Sequence, residues 1–301
     1  MQKITPCLWF DNQAEEAVNL YISIVRNSKI VNVARYGEAG AKASGMPKGT
    51  VLTITFQLDG EEFMALNGGP AFQFTPAVSF LVACKTKEEV VALWGRLSDG
   101  GSALMELGAY PFSDKYGWVQ DRYGLSWQVM FMGDREIKQK STPTLMFVGN
   151  VCGKAEEAIN FYASVLHNAK VGDILRYGKG EEPDKEGTIK HVTFTLEGQE
   201  FAAMDSARVH NFTFNEAISF MVYCETQEEI DYYWEKLSSD PRAEQCGWLK
   251  DKYSVSWQIV PAVLDEMMLD KDAERSNRVM KAFLQMKKID IEELKRAYER
   301  E

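Results

Sequence analysis

Residues 116–129 read Tyr116-Gly-Trp-Val-Gln-Asp-Arg-Tyr-Gly-Leu-Ser-Trp-Gln-Val129, and a close copy runs from Cys246 to Ile259. The outer residues alternate as in two strands, and Tyr123-Gly124 or Tyr253-Ser254 stands where the chain must reverse, so each stretch reads as a β-hairpin. Strand side chains point alternately to opposite faces. Ser126, Gln128 and Met130 therefore share one face, and Trp127, Val129 and Phe131 the other. Gln128 and Gln258 become candidates to point into a pocket, while Trp127 and Trp257 are expected in the core.

Working outward, the hairpin proves to be the end of a longer repeat. Ala14-Glu-Glu-Ala-Val-Asn-Leu-Tyr21 matches Ala155-Glu-Glu-Ala-Ile-Asn-Phe-Tyr162, an offset of 155 − 14 = 141, and Arg35-Tyr-Gly37 matches Arg176-Tyr-Gly178 at the same offset. Gly49-Thr50 and Asp59-Gly60 match Gly187-Thr188 and Glu197-Gly198, an offset of 187 − 49 = 138. Such drift places insertions in loops. A repeat this long is a duplicated domain rather than a solenoid unit. The expected boundaries are 1–134 and 141–263, with 264–301 as a helical appendage that has no counterpart in the first copy.

Each copy reads as two βαβββ units. Ile4 to Phe10 forms the first strand, and Asn12 with Glu15 signals a helix start. Ala14, Ala17, Val18, Tyr21, Ile22 and Val25 share one helical face. Strands Ile30–Tyr36, Val51–Leu58 and Phe63–Asn67 follow, with Ala39 to Gly49 as a loop. The second unit opens with Val78–Cys84, and Thr86 with Glu89 caps a helix through Leu97; Thr226 with Glu229 repeats that signal. In the appendage, Val279, Ala282, Phe283 and Met286 mark an amphipathic helix. Asp290 with Glu293 caps another, with Ile289 and Leu294 as a hydrophobic staple.

The chain has 301 residues, a formal net charge of −10 and five cysteines without a Cys-x-x-Cys. Its acidity argues against a general affinity for nucleic acid or anionic membranes, which require a basic surface. No apolar run approaches the roughly 20 residues needed to cross a bilayer. A reduced, cytoplasmic protein is the expectation.

These paired units resemble the vicinal oxygen chelate, or glyoxalase/bleomycin-resistance, superfamily. The resemblance is closest to its PhnB-like branch, labelled as 3-demethylubiquinone-9 3-methyltransferase domains. It is carried by Ile4-Thr-Pro-Cys-Leu-Trp-Phe10, Ala65-Leu-Asn-Gly-Gly-Pro70, Ala217-Ile-Ser-Phe220, Cys246-Gly-Trp-Leu-Lys-Asp251, Ser256-Trp-Gln258 and the tail Met286-Lys-Lys-Ile-Asp-Ile291. It implies an α+β fold of two tandem glyoxalase-like domains, each with two βαβββ modules forming a half-open barrel. It also implies a ligand site in that barrel, in many members with a divalent metal held by His and Glu. Here the closing strand carries Gln128 and Gln258. The other approximate positions offer Cys7 or Trp9, Asn67 and Ser79, then Thr144 or Met146, Asp205 and Ser219. Such neutral groups do not suit a tight divalent site, so no metal or other cofactor is expected.

His167, His191 and His210 have no histidine counterparts in the first copy. His191 and Asp205 are the candidates for a general acid/base pair if the fold brings them together. Trp9, Trp118 and Trp248 are candidate ligand contacts, while Cys84 and Cys224 read as core. No strand, glycine-rich turn and helix suited to a dinucleotide or adenosyl cofactor is evident, which argues against methyl transfer. The expected function is binding of a small organic ligand through Trp9, Asn67, Ser79, Trp118, Gln128, Asp205, Ser219, Trp248 and Gln258. The alternative is a lyase, isomerase or dioxygenase using a weak metal or the Asp205/His191 pair. The fused copies imply a monomer resembling a dimer, or a homodimer.

Overall fold

The computed structural model describes residues 2–299. The first copy contributes β1 (Ile4–Phe10), α1 (Ala14–Ile24), β2 (Lys29–Arg35), α2 (Glu38–Ser44), β3 (Val51–Leu58) and β4 (Glu61–Asn67). Its second half is β5 (Val78–Cys84), α3 (Lys87–Leu97), β6 (Ser102–Tyr110), β7 (Ser113–Gln120) and β8 (Ser126–Phe131). The second copy supplies β9 (Ser141–Phe147), α4 (Ala155–Val165), β10 (Lys170–Arg176), β11 (Ile189–Leu196) and β12 (Gln199–Asp205). It continues with β13 (Ile218–Cys224), α5 (Gln227–Leu237), β14 (Trp248–Lys250) and β15 (Ser256–Pro261). A tail of α6 (Val263–Met268), α7 (Ala273–Phe283) and α8 (Ile291–Glu299) completes the chain.

Three local expectations change. The segment read as a loop after Gly37 contains α2, closed by Gly45 in the left-handed conformation at φ 76°. Asn12 and Glu15 do not cap α1; Asn67 Oδ1 instead accepts from the Ala14 amide at 2.9 Å, so a residue distant in sequence satisfies the helix start. The fourth βαβββ unit lacks one strand. Only 248 − 237 = 11 positions separate Leu237 from Trp248, against 118 − 97 = 21 between Leu97 and Trp118, which leaves no length for a counterpart of β6.

The strands form two mixed sheets whose composition crosses the repeat. One has seven strands in the order β14-β15-β13-β1-β4-β3-β2, and the other eight in the order β10-β11-β12-β9-β5-β8-β7-β6. The joins are β1 with β13 and β5 with β9, both antiparallel. Each half-open sheet therefore takes one module from each copy. Ion pairs repeat across both seams, Lys3 with Glu229 at 3.1 Å and Lys140 with Glu89 at 2.6 Å.

Within one continuous apolar core, the buried aromatic sets follow the copies instead. In copy one the buried ring of Phe80 lies 5.3 Å from Phe63 and 5.7 Å from Trp127, and Trp127 meets Tyr21 of α1 at 5.0 Å. In copy two Phe220, Phe201, Trp257 and Tyr162 repeat this set. Each core is tied by one aspartate: Asp121 Oδ2 accepts from Tyr21 Oη at 2.7 Å and Trp127 Nε1 at 2.9 Å, and Asp251 does the same with Tyr162 and Trp257. Their Oδ1 atoms accept two backbone amides in the hairpin turn. The aspartate of the opening motif is therefore a buried hub joining helix, turn and strand.

Candidate functional site

Alternation along the strands sends Trp127, Val129, Trp257 and Ile259 into the copy cores and sends Gln128 and Gln258 to the concave faces. On the eight-stranded sheet, Gln128 Nε2 donates to Ser79 Oγ at 2.8 Å, and Gln128 Oε1 accepts from Tyr116 Oη at 2.7 Å. Ser79 pairs in register with Thr144. Beside this chain, Trp118 Nε1 donates to Ser126 Oγ at 2.7 Å. Ser79, Gln128, Thr144 and Tyr116 are buried in the floor, whereas Leu81, Met105, Trp118, His191 and Met204 are half-buried on the same sheet. None of these five belongs to the buried apolar clusters of the molecule. Burial holds the His191 imidazole below its ordinary pKa and the Tyr116 phenol above it, so both are neutral near pH 7.

The seven-stranded sheet starts from the same plan. Gln258 Nε2 donates to Ser219 Oγ at 2.8 Å, and Ser219 pairs in register with Cys7. Burial pushes the Cys7 thiol up to about 12, against the weaker opposing effect of hydrogen bonding with Gln258 and Ser219. This face is covered by the tail: Leu264, Met267, Val279, Met286, Ile289 and Leu294 pack with Cys7, Met64, Met221, Tyr223 and Val260. The segment after α7 takes the edge left by the missing strand, because Cys246 N donates to Met286 O and Gly247 N to Lys287 O, both at 2.8 Å. Gly247 is required there, since a Cβ would lie 2.9 Å from Ile289 Cδ1 and 2.8 Å from Ile259 O.

The crossed sheets divide the sequence-selected residues. Trp9, Ser219, Trp248 and Gln258 fall on the seven-stranded sheet, and Ser79, Trp118 and Gln128 on the eight-stranded one. Asn67 and Asp205 reach neither concave face. Asn67 also donates from Nδ2 to Val51 O at 3.0 Å, and Asp205 accepts from the amides of Gly153, Ala155 and Ile189. Both hold the first turn of a helix against its sheet. Val192 pairs with Ala203, so His191 and Asp205 point to opposite faces of β11 and β12 and do not form a pair. Trp9 is wedged over Gly68, where a Cβ would lie 2.2 Å from the indole ring, and its Nε1 donates to Gly69 O. Its ring meets Phe72 at 5.1 Å and Trp248 at 5.8 Å. Tyr116 was missed, although its place two residues before Trp118 on an alternating strand puts it on the same face.

The groups beside each glutamine are hydroxyls, a phenol or a protonated thiol, which does not suit a divalent ion. Among the described residues, no group of three or more His, Cys, Asp or Glu side chains is placed to hold a metal. Two shallow depressions of about 300 and 370 Å³ lie at Phe112–Arg135 and beside α3, away from both glutamines. No helix among the described residues is long and apolar enough to cross a membrane.

Two sheets of crossed βαβββ modules with concave, residue-lined faces define a glyoxalase-like α+β protein. The family model described as 3-demethylubiquinone-9 3-methyltransferase matches residues 2–130 and again 139–260, so the chain belongs to this PhnB-like family in two tandem copies. A solved structure from Bacillus cereus, titled a putative 3-demethylubiquinone-9 3-methyltransferase, PhnB protein, is 45% identical over 43% of this chain and 99% of its own, with TM-score 0.40. Glyoxalase I from Zea mays is 12% identical over 89% of this chain and 95% of its own, with TM-score 0.50. A point mutant of that enzyme is 11% identical over 86% and 94%, with TM-score 0.52. The maize structures bear on the fold alone. No curated protein matches the sequence.

Proposed function

We propose that the chain binds a small, uncharged organic molecule on the concave face of the eight-stranded sheet, without a bound metal. The observation that carries this reading is the Tyr116–Gln128–Ser79 hydrogen-bond chain in a buried floor whose walls remain half-buried. Met130, Met146 and Met204 supply adaptable apolar surface, and Gln128 and Thr144 supply directional polar contacts. A neutral ligand fits because desolvating an ion against this floor is costly when no opposite charge meets it. The methyltransferase in the family's description is not carried over to this chain.

The test is a thermal-shift screen of neutral metabolites, followed by calorimetric titration of each hit. Hits are expected to lose at least about tenfold in affinity on Gln128→Ala, the cost of one good hydrogen bond to the site, and to be unaffected by Gln258→Ala. Equal sensitivity to both substitutions, or to neither, overturns the assignment to this face.

A further inference from the structure

The two sheets are tied to each other by a pair of struts that the repeat makes equivalent and the sequence makes different. At the start of β1, Ile4 N donates to Gln199 Oε1 of β12 at 3.0 Å. At the start of β9, Lys140 N and Ser141 N donate to the two carboxyl oxygens of Glu61 of β4, at 2.5 and 2.8 Å. Glu61 and Gln199 are repeat partners, at an offset of 199 − 61 = 138, and each reaches from one sheet to the first residues of a strand in the other. Their surroundings repeat closely. Gln2 bonds the backbone N and O of Glu62, and Gln139 does the same with Glu200. The ion pairs of Lys3 with Glu229 and Lys140 with Glu89 also correspond. Two changes fall together within this frame: one strut sets the neutral amide of Gln199 against Ile4, and the other sets the acid Glu61 against Ser141.

Among the described residues three buried side-chain hydroxyls lack any hydrogen-bond partner, those of Thr5, Ser141 and Ser256. Ser141 Oγ belongs to the residue whose amide Glu61 Oε2 holds. The charge on Glu61 is poorly balanced. The Lys140 ammonium is turned to Ala83 O and Glu89 Oε1, both at 2.6 Å. Burial raises the Glu61 carboxyl to about 7, outweighing the two amides that hold its charged form; Asp59, in the turn before β4, adds to the rise and Lys140 opposes it. A carboxylate only accepts hydrogen bonds, whereas a carboxylic acid gains an O–H donor at the oxygen that carries the proton. The charged form therefore suits two amides, and the neutral form suits one amide and one unpaired hydroxyl.

We infer that Glu61 is a proton-operated clamp between the two sheets: as the carboxylate it grips the amides of Lys140 and Ser141, and as the acid it keeps the Lys140 amide, donates its proton to Ser141 Oγ and releases the Ser141 amide. The Gln199 strut has neither an acid nor a facing hydroxyl and holds Ile4 at every pH. One strand start is thus anchored by a titrating group and its repeat partner by a fixed one. The clamp lies at the seam between the sheets and does not depend on the proposed ligand site.

The test is a pH titration of the full chain, from about pH 5 to 9, followed by amide proton–nitrogen correlation spectra. The Lys140 and Ser141 resonances are expected to shift together with one midpoint at about 7, while the Ile4 resonance stays in place. Glu61→Gln, which copies the other strut, is expected to abolish both shifts. Ser141→Ala removes the acceptor of the carboxyl proton and is expected to lower the midpoint by about half a pH unit to one unit, the worth of one neutral hydrogen bond. Resonances that stay flat across this range, or shifts that persist in Glu61→Gln, overturn the clamp. A midpoint unmoved by Ser141→Ala overturns the exchange of partners. If Glu61→Gln does not fold, the titration of the unsubstituted chain decides. No ligand enters the measurement, so its failure leaves the proposed function untouched.

Discussion

On the eight-stranded sheet Gln128 is held between Tyr116 and Ser79, under walls that stay half-buried. On the seven-stranded sheet its counterpart Gln258 holds Ser219 and meets the Cys7 thiol, under the chain's own helices. Two local changes account for the divergence. Cys246 stands where Tyr116 would be, so the second glutamine has no phenol to fix its oxygen. The fourth module also lacks a strand, and the tail fills the vacated edge. The difference shows that a repeated strand sequence fixes which way a side chain points, while its surroundings decide whether that direction leads to solvent or to packed apolar groups.

The largest expected effect tests the cover. Ile289, fully buried where the tail lies over Gly247, has no counterpart on the open sheet; Ile289→Ala is expected to cost about 2–5 kcal/mol in denaturant unfolding through lost contact and a residual cavity. Binding at the open face should be unchanged.

Next comes a contrast between the hubs. Burial raises the Asp251 carboxyl to about 6, outweighing its four donors, and raises the Asp121 carboxyl for the same reason. The fold holds the Asp251 proton more tightly than the unfolded chain does. That stabilisation is fully present below about pH 4 and is lost as pH rises through about 6, by about 2–3 kcal/mol. Denaturant midpoints between pH 4 and 7 should fall accordingly, and Asp251→Asn should flatten that slope.

Gln128→Ala removes the partner of both Tyr116 and Ser79 and is expected to destabilise by about 1–3 kcal/mol, against a smaller loss for Gln258→Ala, by chemical denaturation. The smallest effect is also the sharpest. Trp118→Phe orphans Ser126 and should cost about 1 kcal/mol, while Trp248→Phe should cost less, because Ser256 is already unpaired.

Much of the fold was legible because it rests on short-range pattern. Alternation placed Trp127 in the core and Gln128 on the concave face, and Asp59-Gly60 gave the hairpin its left-handed turn, at φ 51° and 91°. Thr86 and Thr226 cap their helices as read. The crossing of modules was not legible, because β1 pairs equally well in principle with β5 or β13 and no local residue chooses between them. The same limit applies to the site. Asn67 and Asp205 sit at strand ends where ligand contacts were expected, but their bonds go to helix amides that only the tertiary fold brings near. The orphaned hydroxyls are visible only once every neighbour is known.

The crossed sheets also constrain how the protein can change over generations. Each concave face draws one module from each repeat, so a substitution in either repeat is felt on only one face, while loss of a whole repeat would halve both. The lining of each face is therefore free to diverge sheet by sheet, with Ile4–Asn67 and Ile218–Pro261 drifting as one lineage and Val78–Phe131 with Ser141–Asp205 as another. Neither repeat inherits a complete concave face of its own.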